Sequence, residues 1–232
     1  MKITWFGHSC FRIEHGKAVV LVDPFLKGNP TFEAAKVPFE RAIGGVTHVA
    51  ITHGHDDHIG SAVEACASGA TLVSNWEICN HLGGKGVKSW SPGNHGGEID
   101  LGEFRIAFVN AWHSSSASGT SAPIYLGNPS GLVFTFKDGR SVLHMGDTGI
   151  HSDMALTQEL YRPEIGFVPI GDRFTMGARQ AALACRRFFK FKAVFPCHYG
   201  TFSVLDQTAE KFLAEMKGEK VIVPKAGEAV EL

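Results

Sequence analysis

Residues 52–60 read THGHDDHIG. The segment leading into them, THVAIT (47–52), is mostly apolar and reads as a buried strand. The segment overlapping and following them, HIGSAVEACASG, has apolar residues at helical spacing and a glycine stop. Three histidines and two aspartates therefore stand where a strand gives way to a helix. A helix cap needs one polar residue, not five. Imidazoles and carboxylates this closely spaced are a metal signature, and their ligand type suits zinc, manganese or iron. His53 and His55, two positions apart just past a strand, can converge on one ion if the loop curls. Asp57 and His58, near the start of the helix, can then face a second.

The rest of the chain supplies further ligand types at strand ends. His113 lies in NAWHSSS after FRIAFV, Asp147 in LHMGDTG after SVL, and His198 in FPCHYG after AVF. Loops at strand ends are where α/β folds gather their sites. Each residue alone has a bland reading, as a loop histidine or a turn aspartate. Their shared placement gives them weight.

Outward from these segments, the chain falls into two similar halves. Residues 2–6, 10–14 and 18–22 read as strands, with 24–44 irregular between the breakers Gly28, Pro30, Pro38 and Gly44-Gly45. ATLVS is a strand and NWEICNHLGG a short helix. The second half opens with a hairpin turned at Leu101-Gly102 and another turned at Asp138-Gly139. A helix near 152–161, the strand EIGFVPIG, a helix near 177–190, the strand AVFPCH, a helix over 206–217 and a last strand KVIVP follow. Hairpins first, then alternating strands and helices, repeated twice, suggest two sheets packed face to face with helices outside. The expectation is one αββα sandwich domain over residues 1–232.

Composition fits that plan. The chain has 232 residues, 44% hydrophobic and 19% charged, with a net charge of −1, so a sizeable core can form. The nearest thing to a basic run, Arg186-Arg187 with Lys190 and Lys192, reads as a solvated helix face. No basic stripe of the kind nucleic acid requires is present. Five cysteines (Cys10, Cys66, Cys79, Cys185, Cys197) show no CxxC spacing, which argues against a disulfide framework or a thiolate zinc site. The opening MKITWFGHSC lacks the apolar region of a signal peptide, and no apolar run approaches the roughly 20 residues of a membrane helix. A cytoplasmic protein is expected, with a small-molecule partner, neither nucleic acid nor membrane, and self-association left open.

The order HGHDDH, His113, Asp147 in GDT, then His198 resembles the metallo-β-lactamase superfamily. WFGHSCFRIE, DPF (23–25), AWHSSS, GFVPIGDRFTMG and PCHYGTF are similar to small metal-dependent hydrolases related to the ascorbate-6-phosphate lactonases. The resemblance implies an αββα sandwich carrying two divalent ions, zinc first and manganese or iron as alternatives. His53, His55 and His113 would hold one ion, Asp57, His58 and His198 the other, and Asp147 would bridge them. Two such ions about 3.5–4 Å apart generate hydroxide near neutral pH, and Asp57 would also orient that water. The implied activity is hydrolysis of a small ester, lactone or phosphoester. The rivals are a ribonuclease or phosphodiesterase of the same fold, an iron or redox protein, and a metal-binding module without turnover.

Other residues carry weaker expectations. Arg173, in a loop after Gly171-Asp172, could clamp an anionic substrate group. His8 could hydrogen-bond near the site or contact substrate. Tyr199, Phe174 and Met176 are expected to pack. His15, His48, His81, His95, His144 and His151 read as structural or surface residues.

Overall fold

The three strands expected first run Lys2–Trp5, Phe11–His15 and Ala18–Val22, paired antiparallel. In the computed structural model, which describes residues 1–232, they open a seven-stranded sheet. That sheet belongs to the first of two compact units, Met1–Asn94 with Ser114–Pro129 and Pro224–Leu232; the second is His95–His113 with Ser130–Val223.

In the first unit the sheet continues from Ala18–Val22 through His48–Ala50 and Thr71–Asn75 to Trp90–Gly93, all parallel. Parallel neighbours need crossovers, and helices supply them. Helix Trp76–Gly84 starts at Asn75, whose Oδ1 accepts from Ile78 N–H at 2.8 Å, and it buries Ile78, Cys79 and Leu82. These pack in one core with Phe6, Leu21, Val49 and Leu72, each large apolar side chain contributing about 1.5–3 kcal/mol by leaving water. Ser116–Ala117 and Ile124–Tyr125 form a small separate hairpin.

The sequence reading differs here in three places. The irregular segment 24–44 contains helices Pro30–Ala34 and Phe39–Ile43. Pro30, read as a breaker, is a first-turn residue behind Asn29, whose side chain accepts from the Thr31 and Phe32 amides. The helix after His55 starts earlier than expected, at Asp56, and divides into Asp56–Ile59 and Ala62–Cys66. Ser61, at the break, accepts from the amides of Leu26 and Lys27. A last strand, Ala229–Glu231, pairs with Lys2–Trp5.

The second unit holds a six-stranded sheet in the order Ala193–Cys197, Ile165–Pro169, Ser141–His144, Ser130–Phe136, Phe104–Asn110, Glu98–Asp100. Its hairpins are antiparallel and its last two pairings parallel, bridged by helices Met154–Tyr161 and Ala178–Phe188. The latter buries Ala181, Ala182, Ala184 and Cys185, small residues that let a helix approach closely. Phe167 meets Phe195 edge-on at 5.6 Å. A short helix, Glu210–Glu215, occupies part of 206–217. The expected strand KVIVP is reduced to one bridge between Val194 and Val221. Val194 donates to Lys220 and receives from Ile222, but the next donor along that edge would be Pro196, which has no N–H. Hairpins followed by alternating strands and helices describe each unit, as expected. No helix is long and apolar enough to cross a membrane.

Candidate metal centre

The polypeptide leaves strand His48–Ala50 at the C-terminal end of the parallel strands, the edge at which α/β sheets place their sites. Thr52 is anchored there by Asp23, which follows the neighbouring strand. The Thr52 amide donates to Asp23 Oδ1 at 2.8 Å and its hydroxyl to Oδ2 at 2.7 Å. A hydroxyl has one proton. Since Thr52 Oγ1 gives its proton to Asp23, it accepts from His53 Nδ1, 3.0 Å away. That fixes the His53 tautomer and leaves Nε2 as its basic nitrogen. Asp23 Oδ2 also accepts from His58 Nδ1 at 2.8 Å, which makes Nε2 the basic nitrogen of His58 too. One buried carboxylate thus presents the same ring nitrogen of two imidazoles as a ligand atom, the usual service of an outer carboxylate to a metal-binding histidine.

Around these two, His53 Nε2 lies 2.9 Å from His55 Nδ1. His8, Asp57 and His58 each present a ligand atom, all within 4.8 Å of one another. His8 Nε2 contacts Asp57 Oδ2 at 3.0 Å. His8 is fully buried, and its ring also meets Phe25 and His58 edge-on. Of the two adjacent aspartates, Asp57 faces this cluster. Asp56 is taken up by Ser118, whose hydroxyl and amide both donate to it. Gly54 has no room for a side chain, because a Cβ would stand 2.6 Å from Leu126. Its amide donates to Ser115 Oγ at 3.0 Å, and Ser114 Oγ reaches His55 Nε2 at 3.3 Å.

The second unit builds its own cluster. Asp147 Oδ2 lies 2.8 Å from His198 Nε2 and 3.6 Å from His113 Nε2, so one carboxylate stands between two imidazoles. The segment before His113 is tied to the one after Asp147: Trp112 N–H donates to Thr148 Oγ1, and Gly149 N–H to the Trp112 carbonyl. The loop at 171–176 abuts the same place. Met176 N–H donates to the Thr148 carbonyl, and a Cβ on Gly171 would fall 1.9 Å from the His198 carbonyl. His198 itself has φ 57°, and Asp172 and Arg173 follow suit at 61° and 44°. Left-handed backbone at non-glycine residues stores strain and clusters at functional sites.

The first unit therefore brings together His53, His55, Asp57 and His58, and the second brings together His113, Asp147 and His198. Arg173 is exposed, with its guanidinium 5.6 Å from the Phe174 ring centroid. Phe174 is 54% exposed and does not pack as expected, whereas Met176 is buried. Tyr199 is buried; chiefly for that reason, with Cys197 adding to it, its hydroxyl titrates only near 12. Burial likewise lowers His48, His81 and His151 below the ordinary imidazole range. Asp23 was not among the expected functional residues. Its signal in the sequence is DPF (23–25), one of the stretches that carry the family resemblance, at the end of strand Ala18–Val22.

The donor set fits a borderline divalent metal: imidazoles and carboxylates, with no thiolate. The cysteines are all buried, none forms a disulfide, and burial pushes Cys66, Cys79 and Cys185 up to about 12.

The family model described as "Beta-lactamase superfamily domain" matches residues 2–198. A metal-dependent hydrolase of Chelativorans sp. is 56% identical over 237 residues, covering all of both chains. One from Methylocella silvestris is 54% identical over 230 residues, covering 98% of each. Among solved structures, the metallo hydrolase Igni18 of Ignicoccus hospitalis superposes with a TM-score of 0.86 at 34% identity, over 99% of this chain and 97% of that one.

Proposed function

The chain belongs to the beta-lactamase superfamily as a metal-dependent hydrolase with that α/β fold, and from that premise we propose a binuclear centre acting on a small anionic ester, lactone or phosphoester. By the family's ligand order, His53, His55 and His113 would hold one ion, Asp57, His58 and His198 the second, and Asp147 would serve both. Residues 1–232 are read as one hydrolase domain. Zinc is the first choice of metal, with manganese or iron as alternatives. When bound, the ions acidify a water toward neutral pH and offer positive charge to a developing oxyanion.

The chain's own residues do the rest. Asp23 and Thr52 hold His53 and His58 in one tautomer. His8 steadies Asp57, whose carboxylate would be placed to accept a proton from water. Arg173 supplies a guanidinium for a carboxylate or phosphate on the substrate. Lactones are included because WFGHSCFRIE and PCHYGTF resemble the ascorbate-6-phosphate lactonases, and a cytoplasmic location goes with the reduced cysteines.

The observation that carries this reading is the Asp23–Thr52 arrangement, which fixes two imidazoles with the same nitrogen presented. A turn histidine would not need such control. The test has two arms. Elemental analysis of protein purified without chelator should find about two transition-metal ions per chain. Hydrolysis of small lactones and phosphodiesters should exceed cleavage of a precursor tRNA at matched metal and salt. Metal-free protein after reconstitution overturns the centre; site-specific RNA cleavage without small-molecule turnover overturns the substrate class.

A further inference from the structure

The second unit contains a cleft of about 400 Å³ between the end of helix Ala178–Phe188, the start of strand Ala193–Cys197 and residues 216–220. That volume is in the range of small-ligand pockets. Its floor is apolar. Cys185, Phe189, Val194 and Met216 are all buried, and Phe189 stacks on Phe191 at 4.7 Å and 12°. Phe191 can lie flat there because Gly166, on the adjacent strand, has no side chain: a Cβ would come within 2.7 Å of the ring. The Cys185 thiol, kept protonated by burial, adds no charge.

The rim is different. Arg186, Lys190 and Lys220 are exposed at its edge, and Glu219 is the one carboxylate among the lining residues. Neighbouring cations have acidic partners: Lys192 pairs with Glu164 and Lys211 with Asp206. The three rim cations stand in no ion pair. Arg186 donates to the Glu215 carbonyl, which orients it without neutralising it. In a chain of net charge −1, three cations against the single carboxylate of Glu219 leave the rim with a local positive excess that favours an anion.

The cleft is separate from the metal ligands. Val194 and His198 are four residues apart along one strand direction, about 13 Å at strand rise. The cleft therefore lies at the opposite end of that strand from His198.

We propose that this cleft binds a small organic anion with a compact apolar body, its carboxylate or phosphate held by Lys190, Lys220 and Arg186 and its body lying on Phe191, Val194 and Met216. Three cations are too few for a polynucleotide, whose affinity grows with many phosphate contacts. An apolar floor gives no affinity to inorganic phosphate.

Octanoate is the probe. Titrated into ¹⁵N-labelled protein, it should shift the amides of Cys185, Phe191, Val194 and Glu219 with a saturable dependence. The double variant Lys190→Glu/Lys220→Glu should weaken binding about tenfold or more, and 1-octanol, of equal length but neutral, should bind the wild type correspondingly less well. Circular dichroism checks the variant's fold, and Lys190→Gln/Lys220→Gln, with about half the effect on the logarithm of affinity, serves if charge reversal disturbs it. Three results each overturn the proposal: no saturable shifts, shifts confined to other surfaces, or octanoate and octanol binding alike in wild type and variants.

Discussion

Asp23 and His58 form a carboxylate–imidazole pair at 2.8 Å with both side chains fully buried. Asp23 also has φ 45°, a conformation asparagine tolerates, so Asp23→Asn changes charge and hydrogen-bonding pattern with little backbone penalty. An amide cannot accept from Thr52 and His58 as the carboxylate does, because one of its two polar atoms is a donor. The expected result is metal affinity reduced about 10- to 100-fold and stability lowered by about 1–3 kcal/mol. Titration against a competing chelator, beside denaturant unfolding of the metal-free protein, separates the two. Unchanged metal affinity would remove Asp23 from the centre.

Asp147→Asn addresses the carboxylate between His113 and His198. Metal content and hydrolysis should both fall, with the far-UV spectrum retained. His144→Ala is the comparison. His144 is fully buried three residues earlier, and its Nδ1 accepts from the Gly146 amide, so its loss should lower stability and spare metal content. Equal metal loss in the two variants contradicts the assignment of Asp147.

Gly54 is filled from outside by Leu126. Gly54→Ala should destabilise the protein by about 1–3 kcal/mol through overpacking and loosen His53 and His55 on either side. Adding Leu126→Gly removes both the Cβ and the Cδ1 that would stand 2.6 Å from the new methyl group. If strain is the cause, the double variant regains metal affinity that the single variant loses; a double variant weaker by the sum of both effects shows that contact with Leu126 is not what excludes a side chain.

Arg173→Ala tests the anion clamp. KM for an anionic substrate should rise about tenfold, KM for an uncharged ester should stay nearly constant, and metal content should not change. Identical kinetics for both substrate types would leave Arg173 outside the site and the metal reading intact.

Alkaline pH should weaken the fold. Cys66, Cys79 and Cys185 titrate near 12 instead of 9, and Tyr199 near 12 instead of 10, in each case chiefly through burial. For an acid whose folded pKa is raised, the unfolded chain binds fewer protons once pH passes the ordinary value. The stability contributed is therefore complete below about pH 9 for the thiols and is lost as pH rises toward 12. Each thiol adds a slope approaching about 1.4 kcal/mol per pH unit in that window. Urea midpoints at pH 8 and pH 10.5 measure it, and Cys79→Ala should flatten the dependence.

Much of this organisation is legible in the sequence, for identifiable reasons. Both second-half hairpins could be read because Asp138-Gly139 and Leu101-Gly102 mark turns between alternating strands, and glycine has φ near +81° to +87° at both turns. The helices at 30–34 and 39–43 were not legible because proline signals a break or a first turn depending on the residue before it. The strand Ala229–Glu231 depends on a partner more than two hundred positions earlier, which no local pattern encodes. KVIVP has an ideal strand composition, yet its pairing ends at a proline in another strand. In the site, the ligand candidates announce themselves by type. Asp23 does not, because its role arises from Thr52 and His58, 29 and 35 residues away.

Three serines, Ser114, Ser115 and Ser118, reach from one loop to His55, Gly54 and Asp56. Any opening of the histidine segment must break these contacts, and any opening of the loop must release the histidines. The two stretches therefore share one local unfolding equilibrium. The Gly54 and Ser118 amide protons, whose bonds are two of these links, become a built-in gauge: their exchange with deuterated solvent should slow together when metal loads.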